Sequence, residues 1–287
     1  MTIRTLLVGA SGGSASDGAI EIACRLAARF EAHLEGYHVK IDPNEVLTSA
    51  AAAGPGVILD SAWIDQLTED ADKQAAKTKA AFFDATRRHG LVPAAHLSRN
   101  GVTADWRDEV GRAATRVPRR ARFFDLVILG RSDRIIDQSS SDAIEETLLA
   151  SGRPVLLAPA AAPDSIGDVV AIGWDGSAQS VHAVVSALPF VQKAHRTIIM
   201  TIGEKPDADV AAAIEYLRWH GVASECQSLH AVPGVGRGEQ LLAAARDVGA
   251  DLLAMGAFGH KRWRETLFGG ATRTIVGTSL LPVLMTH

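Results

Sequence analysis

Cysteine is scarce in this chain of 287 residues: there are two, Cys24 and Cys226, and no Cys-x-x-Cys. That gives no support to a secreted disulfide scaffold, and both thiols, set among apolar neighbours, are expected to be buried. Aromatic residues make up only 5%, and neither sign of charge dominates, with 29 Lys and Arg against 33 Asp and Glu for a formal net charge of −4. A mildly acidic chain of this kind argues against a broad nucleic-acid surface, and the arginines around Pro118 lack the interleaved aromatics that stack on bases. No apolar run approaches the roughly 18–20 residues of a membrane span. The apolar stretch Leu6, Leu7, Val8 is too short for the core of a signal peptide and reads as a first buried strand, so the chain is read as cytoplasmic. Catalytic signatures are scarce too: there is no Walker motif and no zinc-ligand spacing. The ten histidines are scattered. His33 with His38, or His89 with His96, could meet in space, but nothing in their spacing demands a metal.

What is present is a chain with enough apolar residues for a large core: 47% are hydrophobic and 22% charged. The length suits two domains of roughly 100–150 residues. Short apolar runs at 5–9, 33–40, 92–98, 125–129 and 154–158 read as strands. They alternate with helical patterns at about 17–30, 61–89, 105–122 and 141–150, with Gly90 as a C-cap. Residues 41–60, containing SAAAAGPG, read as a surface connection. The segment 160–167 is short, polar and proline-bearing, as linkers are. The alternation then restarts, with strands at 169–173, 197–202, 223–230, 251–255 and 282–285. Helices are expected at 178–188, 207–220, 236–248 and 271–278. The expected domains are 1–159 and 168–287.

The second half copies the first. DLVILG, from Asp125, recurs as DLLAMG, from Asp251, an offset of 126 (251 − 125). RPVLLAP recurs as LPVLMTH, and LLVGASG at the start recurs as VAIGWDG, with Gly9 against Gly173, an offset of 164 (173 − 9). The first half therefore carries about 38 additional residues (164 − 126), most of them before Val92. Strands alternating with helices predict a parallel sheet covered on both faces in each half.

One stretch points to a ligand. The strand that starts at Asp251 runs into Gly256-Ala-Phe-Gly259, and nine residues later come Gly269 and Gly270, with a helical pattern opening at Ala271. A strand, a glycine loop and a helix start are the parts from which phosphate cradles are built: glycine admits close backbone approach, and the first N–H groups of the helix face the anion. His260, Lys261, Arg262 and Arg264 lie inside the loop, where they either neutralise phosphates or form a solvated face. Trp263 and Phe268 read as loop anchors.

These residues resemble the universal stress protein family. Gly256-x-x-Gly259, nine residues and Gly269 match the pattern of its nucleotide-binding members, and Asp175 in GWDGS matches their acidic residue at the end of strand one. The resemblance implies two tandem flavodoxin-like (adenine-nucleotide alpha hydrolase-like) domains, each a five-stranded parallel sheet with helices on both faces. It also implies that the two repeats pair through their last strands. The implied ligand is ATP or a related adenine nucleotide, with magnesium accompanying it. Asp175 would accept hydrogen bonds on the adenine or ribose side, or help cap the following helix together with Ser177. The backbone near Thr201 and Ile202 would line the base. Gly256, Gly259, His260, Gly269, Gly270 and Ala271 would surround ribose and phosphates, and Thr272 would supply a hydroxyl one turn into the helix.

Two departures bear on that implication. Gly270 stands where the family's nucleotide binders place Ser or Thr, which removes one side-chain donor, a loss of about 0.5–1.5 kcal/mol for a neutral hydrogen bond. In the first repeat, Asp133 falls at the position of Gly259 and Ser11 at that of Asp175, so that half reads as a structural partner. Three functions follow in order: a stress-response protein that senses or signals through a nucleotide in its second half; a nucleotide-independent scaffold, which Gly270 favours; and an enzyme acting on another small ligand. A homodimer is compatible with all three, whereas nucleic acid and membrane are not expected partners.

Overall fold

In β1 (Thr5–Gly9) the side chains of Leu6 and Val8 join one buried layer and Leu7 joins another, and all three are fully buried. A strand that is apolar on both sides is what a parallel sheet with two covered faces requires. The computed structural model describes residues 2–12, 14–43, 45, 61–93, 102–131, 138–203, 208–257 and 279–287. After β1 the first half contains α1 (Ser14–Phe30), β2 (His33–Lys40), α2 (Ser61–Arg88), β3 (Val92–Pro93), β4 (Thr103–Val110), α3 (Ala113–Ala121), β5 (Leu126–Gly130), α4 (Gln138–Ala150) and β6 (Val155–Ala158). The second half contains β7 (Val169–Trp174), α5 (Ala178–Val191), β8 (Arg196–Ile202), α6 (Ala208–Trp219), β9 (Glu225–Leu229), α7 (Arg237–Asp247), β10 (Leu252–Gly256) and β11 (Val283–Thr286).

The strands form one sheet in the order β3-β4-β2-β1-β5-β6-β11-β10-β7-β8-β9. Neighbours within each half are parallel. The junction between halves is antiparallel, with Val283 opposite Leu157 and Met285 opposite Val155. The halves thus join through their last strands, and each is a doubly wound α/β unit. The second has five strands; the first has five plus the two-residue β3 at its edge.

One apolar layer gathers residues of α1, α2, α5 and α6, and the other those of α3, α4 and α7. Both layers run across the junction. There the rings of Phe30 and Phe190 meet edge to face, with centroids 5.1 Å apart. Beside them Arg29 donates to the carbonyls of Ile166 and Gly167 and to the carboxylate of Asp168 at 2.7–3.0 Å, tying α1 to the segment that enters β7.

The expected helix over 105–122 is a strand and a shorter helix. Trp106, Val110, Ala114, Val117 and Ala121 recur every three or four residues and imitate one helical face. Gly111, at φ +140°, breaks that face. Before it, Trp106 packs on one side of β4, and the strand pairs in parallel with β2 from Leu34–Ala104 to Lys40–Val110. Cys226 is the second correction: it is exposed on the edge strand β9, whereas Cys24 is buried in α1. Burial of both sides cannot be assumed for a strand with one neighbour. Gly90 ends α2 as expected, at φ +71°, with the Leu91 N–H donating back to Thr86 at 2.9 Å. His33 and His38, an odd number of residues apart on β2, lie on opposite faces of the sheet and do not meet. Residues 94–98 of the expected third strand, most of the 41–60 connection, His96 and the expected helix at 271–278 lie outside the described residues. Among the described residues no helix is long and apolar enough to cross a membrane.

Candidate functional site

In the second half the chain leaves β7 outward on one side, through β8 to β9, and returns on the other side through β10 to β11. The point where the order reverses lies between β7 and β10, and open α/β sheets bind ligands outside the carboxyl ends of the strands at such a point. Asp175 follows directly on β7. Thr201 is opposite Trp174 in the β7–β8 ladder. Gly256 and Trp174 each lie two residues beyond the Ala254–Ile172 pair, so they are level with each other. Four of the sequence-selected residues, Asp175, Thr201, Ile202 and Gly256, therefore meet at one edge.

Asp175 is exposed. Its Oδ1 accepts from the backbone N–H of Ser177 at 3.0 Å and from the Ser177 hydroxyl at 2.5 Å. Gly176, at φ +75°, makes the tight turn between them. Ser177 is the N-cap of α5, accepting from the Ser180 N–H at 3.2 Å. Asp175 thus orients the cap rather than being the cap, and it is the one carboxylate that this edge presents within Trp174–Ser177. Thr201 is buried, and its hydroxyl faces Ser228 Oγ at 3.3 Å. Its side chain is committed to the sheet, and what it offers a ligand is backbone. Ile202 extends one residue past the last β7 pair, so its main chain has no ladder partner on that side.

Gly256 has a packing reason for being glycine. A Cβ there would lie 2.6 Å from the carbonyl carbon and the Cβ of Gln179, in the first turn of α5. The first half repeats this contact, because a Cβ at Gly130 would strike the Ala15 carbonyl in α1. Gly256 and Gly130 seat the helix that follows the first strand of each half, which accounts for their match without a phosphate. Sequence reasoning missed that role; the signal was the recurrence of this glycine in a repeat that had lost the rest of the loop. It also missed Trp174, next to Asp175, whose indole Nε1 is buried without a hydrogen-bond partner among the described residues.

The corresponding edge of the first half is covered. Side chains of α2 lie against the turn after β1: a Cβ on Gly12 would strike the Gln74 amide and come within 3.1 Å of Thr78 Oγ1. Lys40, at the end of β2, pairs with Asp72 of the same helix at 2.9 Å. The residues that lengthen the first half thus include a helix laid over its strand ends. Gly259, His260, Gly269, Gly270, Ala271 and Thr272, with Lys261, Arg262, Trp263, Arg264 and Phe268, lie outside the described residues, as does Asp133. Among the described residues no group of three His, Cys, Asp or Glu is arranged to hold a metal ion.

No family model and no curated protein matches the sequence. Solved structures do match. A universal stress protein from Archaeoglobus fulgidus DSM 4304 superposes with a TM-score of 0.70 at 17% identity, over 99% of this chain and 96% of its own. A putative universal stress protein from Pseudomonas aeruginosa UCBPP-PA14 gives 0.58 at 15% identity, over 99% and 93%. A functionally unknown protein from Pseudomonas aeruginosa PAO1 gives 0.57 at 15% identity, over 99% and 92%. At these identities the likeness is one of fold: the chain has the architecture of universal stress proteins over its whole length.

Proposed function

We propose that this chain is a tandem universal stress protein that binds ATP or a related adenine nucleotide in its second half and acts by sensing or signalling. The observation that carries the reading is the meeting of Asp175, the Ile202 main chain and Gly256 at the reversal point of the second sheet, directly before the Gly256-x-x-Gly259, nine-residue, Gly269 sequence. Asp175 suits a ribose or amine hydrogen: one carboxylate oxygen is held by Ser177, which fixes its direction. The Ile202 main chain, free of a ladder partner on the β7 side, suits the edge of a base. The glycines after Gly256 and the start of the following helix would receive the phosphates through backbone N–H groups. The first half, whose strand ends lie under α2, serves as a structural partner.

Turnover is not part of the proposal. One oxygen of Asp175 is held by Ser177, and the His287 imidazole at the same edge lies 3.3 Å from the Ala257 carbonyl. Magnesium would travel with the nucleotide. Isothermal titration of the purified chain with ATP and magnesium tests the reading. Binding is expected, and it is lost in Gly259→Asp, which copies the first repeat. Absence of heat at high micromolar nucleotide would overturn it. A nucleotide-independent scaffold is the second reading; the observation in its favour is that Gly256 already has a structural reason to be glycine.

A further inference from the structure

The helix α3 and its flanks, Arg112 to Phe124, contain five arginines and no acidic residue, in a chain of net charge −4. Val117, Pro118 and Ala121 are buried, so the helix turns Arg112, Arg116, Arg119 and Arg122 outward, at spacings that keep them on one side. Arg120 alone faces in, where its guanidinium grips the buried Glu35 carboxylate and lies 5.2 Å over the Phe124 ring. None of the four belongs to an ion pair among the described residues, although Arg116 folds back over Gly111, where its charge helps keep the Glu109 carboxyl low, and Arg122 is held within the chain by the Ala150 carbonyl. Phe123, beside them, is 75% exposed.

The helix α4 packs alongside α3 and carries the opposite sign. Ala143, Ile144, Thr147 and Leu148 are buried, so Asp142, Glu145 and Glu146 form its outer row. These carboxylates are likewise without ion pairs among the described residues. Burial, and then the charges of Glu146 and Asp142, push the Glu145 carboxyl above its ordinary range, and no arginine of α3 offsets them. The two rows run side by side. Both helices link parallel strands and therefore run the same way, and Arg122 Nε donates to the Ala150 carbonyl at 3.2 Å. Arg153 Nε donates in turn to the Arg122 carbonyl at 3.0 Å, so the C-terminal ends of the two helices lie side by side; counting back at about 1.5 Å per residue brings Arg119 to within about one helical turn of the level of Glu146.

We propose that the outer faces of α3 and α4 form a self-complementary surface on which a second copy of this chain docks. A two-fold axis parallel to the helices and midway between them places α3 of each copy over α4 of the other. Each arginine row then faces a carboxylate row, twice over, as an isologous interface requires. The same rotation brings the exposed Phe123 of each copy to the Leu149–Ala150 end of α4 on the other, an aromatic side chain of the kind enriched at interfaces. A nucleic acid or an anionic membrane would meet the arginine row but be repelled by the acidic row beside it, so a surface carrying both signs side by side favours its own copy. This surface lies away from the β7–β10 edge, and the inference stands whether or not a nucleotide binds there.

Sedimentation velocity across a concentration series, at low and high salt, tests it on the full chain. A reversible dimer that weakens with salt is expected. Arg119→Glu and Glu146→Arg, tested singly, place like charges in both contacts of the pair and should each weaken association at least about tenfold, because like-charge juxtaposition costs several kcal/mol. An equimolar mixture of the two variants restores opposite charges at both contacts and should recover the dimer, as should the R119E/E146R double variant. Both positions are on the surface, and matching thermal melts confirm that the variants are folded. Wild-type chain that stays at single-chain mass throughout would overturn the proposal. So would weakened association that neither the mixture nor the double variant repairs, a result that would instead assign the arginine row to an acidic partner.

Discussion

Asp125 and Asp251 do the same job in the two halves. The carboxylate of Asp125, just before β5, accepts from the N–H groups of Arg4 and Thr5 and from the Thr5 hydroxyl at 2.8–3.1 Å. Asp251, just before β10, accepts from the N–H groups of Gly167, Asp168 and Val169 at 2.9–3.1 Å. Each aspartate thus fixes the start of the neighbouring first strand, β1 or β7. The first letter of the repeated DLVILG and DLLAMG is a structural clamp, and the edge it clamps is opposite the one proposed to bind ligand. Replacing Asp251 with Ala should lower stability by about 2 kcal/mol, since hydrogen bonds to a charged acceptor are the stronger kind. Asp125→Ala should cost a similar amount. Urea unfolding followed by circular dichroism measures both, and an effect confined to one of them would show that the halves are not equivalent here.

Gly130 and Gly256 should tolerate no side chain. Alanine at either forces the first turn of α1 or α5 off its strand, an overpacking of about 1–3 kcal/mol. Gly203→Ala is the control, because a Cβ there meets nothing within 4 Å among the described residues, and its change should stay within about 0.5 kcal/mol. Thermal melts of the three variants decide whether the repeated glycine is there for packing.

The two thiols should react at very different rates. Burial pushes the Cys24 thiol up to about 12, with the nearby Glu21 charge adding to the effect. Cys226 is exposed on β9. A chromogenic disulfide reagent at mildly alkaline pH should therefore titrate one thiol in the native chain and the second only on unfolding. Prompt reaction of both would mean that α1 opens readily.

His33 should make the fold less stable as pH falls. Burial holds its imidazole below the usual range, against the pull of Glu35 and Asp105. A histidine depressed in the folded state binds its proton more tightly when unfolded. Its contribution is complete above the unfolded value and shrinks as pH drops through that value toward the folded one. His33→Gln, which can still bond to Thr103, should flatten this part of the stability–pH curve. An unchanged slope would assign the dependence to other groups.

If nucleotide binds beside Asp175, tryptophan emission should report it through Trp174, the adjoining residue. The ATP-dependent change should be lost in Trp174→Phe while calorimetric binding persists. Asp175→Ala should weaken binding by about tenfold, the loss of one charge-assisted hydrogen bond. Full affinity in that variant would move the ligand elsewhere.

Much of the fold was legible in the sequence because the strands of a doubly wound sheet are short apolar runs, and a chain that repeats itself gives each run a second witness. The pairing of last strands, β6 against β11, followed from the resemblance and is seen. The helix expected over 105–122 failed for a physical reason: β4 is polar on its outer side, and its few apolar residues fall into step with those of α3 across Gly111. Cys226 failed because edge and centre of a sheet cannot be told apart from the strand alone. At the candidate site, Asp175 was legible as a strand-end acid. Its reading as a cap shared with Ser177 is corrected: Ser177 alone caps the helix, and Asp175 holds Ser177. The helix seat provided by Gly256 was not legible, because close approach to Gln179 is a contact 77 residues away in the chain (256 − 179). The arginines around Pro118 were noticed in the sequence; the carboxylate row of α4 beside them was not, because it is the packing of α4 against α3 that brings the two together.

The antiparallel junction of β6 and β11 has a consequence for the proposed signalling. Two copies that share one chain cannot separate on dilution, and each is free to change without its twin. One has laid α2 over its strand ends while the other keeps Asp175 exposed. If a nucleotide binds at the exposed edge as proposed, such a pair has a single receptor, and its dose–response is a simple hyperbola. Any steepness would have to come from assembly of whole chains.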